Sequence, residues 1–208
     1  YDEERSAQIN ASEDKLDCFT DRADHYLIEL STHMKAVNDK RQHSMLMQCI
    51  RDIERIGDYA TNFDEFAKKK IDKDVKFSSV AKQEFDIIRD AVSEILRLTI
   101  EAMQDDNDYV ARRIEPLEEV IDDMVLLLKN RHTDRLCEGV CSINAGLIFM
   151  DVLTYLERTA DQCSSIAMLL LSKNNDEISQ NHHSYMQELH DSADQSYLAE
   201  QENRKAQF

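Results

Sequence analysis

The stretch Asp52-Ile53-Glu54-Arg55-Ile56-Gly57-Asp58-Tyr59-Ala60-Thr61-Asn62-Phe63 decides the fold. Read as a helix, it lies in a run with apolar residues at Leu46, Cys49, Ile50, Ile53, Ile56, Ala60, Phe63 and Ala67. That three-and-four spacing predicts one buried stripe. Glu54, Asp58 and Asn62 are four apart, so they stack in a row beside the stripe. Like charges at this spacing cost about a few tenths of a kcal/mol. A bound cation would reverse the sign of that cost.

An acid four residues before an Asp is weak evidence alone. With 42 acids in 208 residues, roughly eight pairs of acids of either kind four apart arise by chance. A second copy strengthens the signal. Glu157-Arg158-Thr159-Ala160-Asp161 repeats Glu54-Arg55-Ile56-Gly57-Asp58 at an offset of 103. Each copy follows an apolar residue (Ile53, Leu156) and has a small residue (Gly57, Ala160) before its Asp. Ser165 stands where Asn62 stood. A further pair, Glu13 and Asp17, matches Glu118 and Asp122 at an offset of 105. Each half then carries an acid-x-x-x-Asp pair on its first and second helices. A repeat this long is a duplicated bundle, because solenoid periods run about 20–50 residues.

Three Gly, one Pro and no Trp predict long helices with short connections, and short connections make neighbours antiparallel. The expected fold is all-α: two tandem antiparallel three-helix bundles, six long helices, divided as residues 1–104 and 105–208. Residues 1–11 read as a frayed lead-in, with Ser12 capping a first helix from Glu13. Its stripe is Leu16, Phe19, Ala23, Leu27, Leu30, Met34 and Val37, and Asn38-Asp39 ends it or begins a turn. A second helix runs from about Arg41 to Lys70, where Lys68-Lys69-Lys70 suits the helix dipole. A third begins at Ser78 or Ser79 and reaches about Gln104. A fourth spans about Asp108 to Leu136, with a kink or later start at Pro116. A fifth covers about Ser142 to Ser172. A sixth follows the loop 173–176, with Tyr185, Leu189, Ala193 and Tyr197 on its weaker stripe.

The net charge of −17 repels phosphate backbones and argues against nucleic-acid binding. It also opposes broad adsorption to an anionic leaflet. It suits cations and basic partners, although acidic helices also serve plain solubility. Five cysteines lack a disulfide-scaffold spacing. Cys18, Cys49 and Cys163 read as small core residues. Cys137 and Cys141 flank Gly139 near a loop, where a metal or redox role competes with none. His182, His183 and His190 read as a solvated helix start. No apolar run is long enough to span a bilayer. The start at Tyr1 rather than Met fits an excised domain, as would a trimmed terminus.

If the two helical pairs of each half meet, Glu13, Asp17, Glu54 and Asp58 converge, and separately Glu118, Asp122, Glu157 and Asp161. Four carboxylates at one seam repel unless protonated, paired with Arg or bridged by metal. All-oxygen donors suit hard cations. The plainer reading pairs them with Arg55 and Arg158 of the same motifs, as surface ion pairs of little energetic weight. Asn62 either orients a ligand or is an exposed amide.

The run Glu54 to Asn62 resembles the signature of the PhoU family, bacterial proteins of phosphate homeostasis built from two three-helix repeats. The second copy is degenerate at Thr159 and Ser165. The resemblance covers about residues 12–172. The long acidic form looks most like the cytoplasmic PhoU-like domain that follows the membrane part of bacterial Na/phosphate cotransporters. It implies a non-enzymatic regulatory role at the cytoplasmic face of the membrane. The implied partner is a transmembrane phosphate transporter, in the same polypeptide. It also implies metal clusters at the acid-x-x-x-Asp motifs: iron, Mn or Mg, divalent or trivalent. That role transfers directly to Glu54, Asp58, Glu157 and Asp161, and by extension to Glu13, Asp17, Glu118 and Asp122.

Two other readings compete. A metal-free helical adaptor or dimerisation domain would ignore divalent ions; a homodimer is expected on either this reading or the first. A ferritin-like di-metal carboxylate enzyme would use Glu-x-x-His on two helices, and no Glu here has a His three residues later. No glycine-rich phosphate loop or other small-molecule site stands out.

Overall fold

The structure, a computed structural model, describes residues 1–173 and 195–208. It is all-α, with no strand among the described residues. The helices are α1 (Glu3–Ser31), α2 (Val37–Asp72), α3 (Ser79–Asp105), α4 (Asp108–Ala111), α5 (Ile114–Cys137), α6 (Ile143–Lys173) and α7 (Gln195–Gln207).

Local chemistry sets their ends. The Asp2 carboxylate accepts from the Glu4 and Arg5 amides, and Glu3 and Glu4 complement the dipole. The helix therefore starts at Glu3, and the expectation of a frayed lead-in before a Ser12 cap is corrected. The Ser12 hydroxyl instead donates to the Gln8 carbonyl at 2.8 Å. The first break also falls earlier than expected, after Ser31. Asn38 and Asp39 lie inside α2, where Asp39 suits the positive helix start. Lys69 and Lys70 occupy the last turn of α2. Ser78 caps α3 by accepting from the Ala81 amide at 3.1 Å. Asn107 caps the short α4. Pro116 sits in the first turn of α5, where a missing N–H breaks no helical bond. The later start was the right alternative, not the kink. Tyr185, Leu189, Ala193 and the histidines 182, 183 and 190 lie outside the described residues.

Helix α6 is the centre of the packing. It touches α2, α3, α4 and α5. Ile88, Ile95 and Leu98 of α3 pack with Ile114, Leu117 and Ile121 around Phe149 and Leu153 of α6. Burying each such side chain stabilises by about 1.5–3 kcal/mol before entropy is counted. The third helix of the first half thus joins the main core with α5 and α6, and α7 packs on α5.

Helices α1 and α2 form an antiparallel arm. Ser6 donates to Asp64 at 2.6 Å near one end, and His43 Nε2 meets the Leu27 carbonyl at 2.9 Å near the other. The main packing partner of α1 is α2, and α2 leans on α6. One seam covers only a narrow strip of a helix. Leu27 is therefore buried while Phe19 of the expected stripe is 65% exposed; Val37, expected on the same stripe, lies past the break, as the first residue of α2. The α2 stripe is half-buried at Ile53, Ile56 and Phe63, and Leu46 and Ala60 are exposed. For the same reason Cys18 is exposed, which corrects its core assignment; Cys49 is half-buried and Cys163 buried.

Candidate functional site

The arm brings together the first set of acids. Gly57 faces Leu16, whose Cδ2 occupies the space a Cβ at Gly57 would need. Glu13 and Asp17 flank Leu16 on α1, opposite Glu54 and Asp58 on α2. Their mutual fields show it. Partial burial raises the Glu13 carboxyl, and Asp17, Asp14 and Asp58 add to the rise. Burial likewise raises Glu54, reinforced by Asp58, Asp17, Asp24 and Asp21. Asp21 and Asp24 thus join the four expected acids. Oδ1 of Asp24 is shielded from solvent without a hydrogen-bond partner.

The second set is tighter. Glu118, Asp122 and Asp161 each offer a carboxylate oxygen, and the three oxygens lie within 4.8 Å of one another. Burial pushes Glu118 up to about 9, helped by Glu115, Asp122 and Asp161. Asp122 rises to about 6, through burial and then Asp161 and Glu157. Burial also raises Asp161, while its hydrogen bond with Glu118 pulls the other way. A protonated Glu118 beside Asp161 relieves the repulsion when no cation is bound. Glu157 is held by Lys129 at 2.7 Å. One turn earlier, Glu115, Glu118 and Glu119 also place oxygens within 4.8 Å of each other. Buried Glu115 accepts a short hydrogen bond from Ser164. Tyr197 of α7 closes this side; burial and the field of Glu115, Glu119 and Glu118 hold its phenol protonated.

The arginines of the motifs point elsewhere. Arg55 donates to Asp52 at 3.5 Å and to Gln162 at 3.4 Å. Arg158 lies 5.2 Å from the Tyr155 ring centroid and draws Asp161 only electrostatically. Asn62 turns back on its own helix and donates to the Asp58 carbonyl at 2.8 Å. Its repeat counterpart Ser165 crosses to α2 and donates to Asp52 at 2.7 Å. Cys141 Sγ lies 3.9 Å from Nε2 of buried His132, while Cys137 is exposed.

Sequence reasoning missed Asp21, Asp24, Glu115, Glu119, Lys129 and Asp52. Asp21 was accessible as the next four-residue step after Asp17. Lys129 carried no local signal, because its partner is 28 residues away.

The PhoU-domain family profile matches residues 1–67 and 86–170. The two matched segments contain the two acidic sets, one each. The chain belongs to the PhoU family, and this relation ties it to the regulation of phosphate homeostasis. Two solved structures share the fold. PhoU from Pseudomonas aeruginosa is 19% identical, with TM-score 0.74, over 81% of this chain and 80% of that one. The phosphate transport system regulatory protein PhoU from Streptococcus pneumoniae is 18% identical, with TM-score 0.71, over 83% and 80%. No curated protein matches the chain. No helix among the described residues is long and apolar enough to cross a membrane.

Proposed function

We propose that the chain is a non-enzymatic, metal-binding regulatory domain that modulates phosphate uptake, as the cytoplasmic domain of a Na/phosphate cotransporter. The observation that carries the metal is the meeting of Glu118, Asp122 and Asp161 within 4.8 Å, with a corresponding gathering of Glu13, Asp17, Glu54 and Asp58 in the arm. An all-oxygen donor set fits iron, Mn or Mg. Glu157 would join once Lys129 swings away. A cation bound across α1 and α2, or α5 and α6, would stiffen each hairpin. It would thereby bias the surface that a transporter reads.

Metal analysis of protein purified without an affinity tag tests this directly. The expected result is bound metal and a melting temperature that rises with added Mn, Mg or ferrous iron. Metal-free protein with a flat melting response overturns it. Membrane-spanning sequence upstream of Tyr1 would support the transporter assignment, and normal phosphate uptake in cells lacking the domain would count against it. The exposed Phe19, Tyr26 and Ile28 on α1 favour a second reading, a metal-free dimerisation domain. Light scattering with metal removed separates the two.

A further inference from the structure

One end of this acidic molecule is basic and apolar. Six of the chain's twelve lysines fall in residues 68–82: Lys68, Lys69, Lys70, Lys73, Lys76 and Lys82. Only Asp72 and Asp74 oppose them in that stretch, with Glu65 just before it. Lys69 pairs with Glu65 and Lys76 with Asp74, both exposed and weak. Lys68, Lys70, Lys73 and Lys82 form no ion pair among the described residues. The cluster lies outside the two segments the family profile matches.

Packing brings an apolar rim to the same end. Lys69 Nζ sits 5.2 Å from the Phe66 ring centroid, and Phe66 packs with Ala145 and Ile148 at the start of α6. Lys70 Nζ sits 5.7 Å from the Phe77 ring, which meets Phe149 at 6.1 Å. The lysines and the first turns of α6 therefore share one end of the bundle. There Ile71, Val80, Val140, Ile143 and Leu147 are all exposed, Ile143 to 77%. Isolated exposed apolar residues need no explanation. Five of them at the end holding half the lysines are another matter.

We infer that this end docks on an anionic phospholipid surface. Lysines attract acidic headgroups, and the apolar side chains insert at the headgroup boundary. The rest of the molecule, strongly acidic, is repelled by the same surface. That repulsion opposes any other orientation, so the lysine end faces the bilayer. The contact is distinct from metal binding and does not depend on it.

The test is flotation of the purified 208-residue chain with vesicles. Phosphatidylcholine vesicles are compared with vesicles containing about 30 mol % phosphatidylglycerol. The expected result is binding to the anionic vesicles only, lost at about 0.5 M salt, where screening falls to roughly 4 Å. Lys68→Glu/Lys73→Glu/Lys82→Glu should cut binding about tenfold or more. Ile143→Ser/Leu147→Ser should also weaken it while leaving its salt dependence. All five positions are exposed, and an unchanged melting temperature checks that the variants fold. Equal flotation with both vesicle types, or wild-type binding by the triple variant, overturns the inference. So does retention on a soluble acidic polypeptide without flotation, which would make a protein the partner. Cation-linked melting should be the same in the triple variant, so this test and that of the metal reading fail separately.

Discussion

Lys129 Nζ lies 2.7 Å from Glu157, whereas Asp24, which the repeat places in the corresponding position of the first half, adds its field to the rise that burial, Asp58 and Asp17 produce at Glu54. The two halves thus treat the same motif glutamate oppositely. One neutralises it with a lysine; the other crowds it with a further acid. Asp24→Lys should copy the second arrangement into the first. Without cations, the variant should melt higher at pH 8 by roughly 2–4 °C, the shift expected of about 1 kcal/mol at this size. It should lose the cation response of the arm. Calorimetry in chelator and in Mn reads both effects.

Burial makes the second set sensitive to pH. Glu118 is raised from its ordinary 4.5 to about 9, and Asp122 from 3.8 to about 6. An acid so raised keeps a proton in the folded state that the unfolded chain has released. Stability is therefore highest below the ordinary values and falls as pH climbs through the raised ones. Cation-free protein should lose melting temperature steadily from pH 5 to pH 9. Glu118→Gln keeps the neutral shape and should flatten that slope. It should also raise the melting temperature at pH 8 by about 3 °C or more, the equivalent of roughly 1 kcal/mol. A slope unchanged in the variant would show that Glu118 is not the group responsible.

Asp52 locks the arm to the core. It is fully buried, and accepts from Gln48 at 2.8 Å, from Ser165 at 2.7 Å and from Arg55 at 3.5 Å. Asp52→Ala would leave the Ser165 hydroxyl and the Gln48 amide unpaired in the α2–α6 seam. A loss of about 2–4 kcal/mol is expected in urea unfolding. Ser165→Ala removes one donor only and should cost about 1 kcal/mol.

Much of this was legible in the sequence. The paired offsets placed the acids of α1 opposite those of α2, and those of α5 opposite those of α6, because a duplicated hairpin repeats its seam. The boundaries of α3 followed from the Ser78 cap and those of α6 from the Gly139 turn. The start of α1 was not legible, because Asp2 and the acids after it are common in a chain with 42 of them. Nor was the thin covering of α1. Phe19 obeys the helical period, but periodicity reports a face and not whether a second helix reaches it. Asp52 was hidden for a related reason. An acid between Arg51 and Ile53 carries no local mark of burial, and only the α2–α6 crossing buries it.

The last prediction concerns the motif aspartates. Arg55 is engaged by Asp52 and Gln162, so removing the Asp58 charge breaks no ion pair with it. Asp58→Asn keeps the shape and relieves repulsion from Glu54 and Glu13. The cation-free variant should be as stable as the wild type or slightly more so. In Asp161→Asn the amide can donate to Glu118, and the same result is expected. With cation the order inverts. A hard cation at about one hundred times its dissociation constant stabilises by about 2.7 kcal/mol, or roughly 5–10 °C in a chain of this size. Each variant should lose much of that gain, because the site has lost a charged ligand while the unfolded chain offers none in its place. The measurement is melting temperature against Mn, Mg and ferrous iron concentration for the wild type, each variant and the double variant. Should the acids serve only structure, Asp58→Asn would lower the melting temperature with or without metal, and added cation would change none of the four curves.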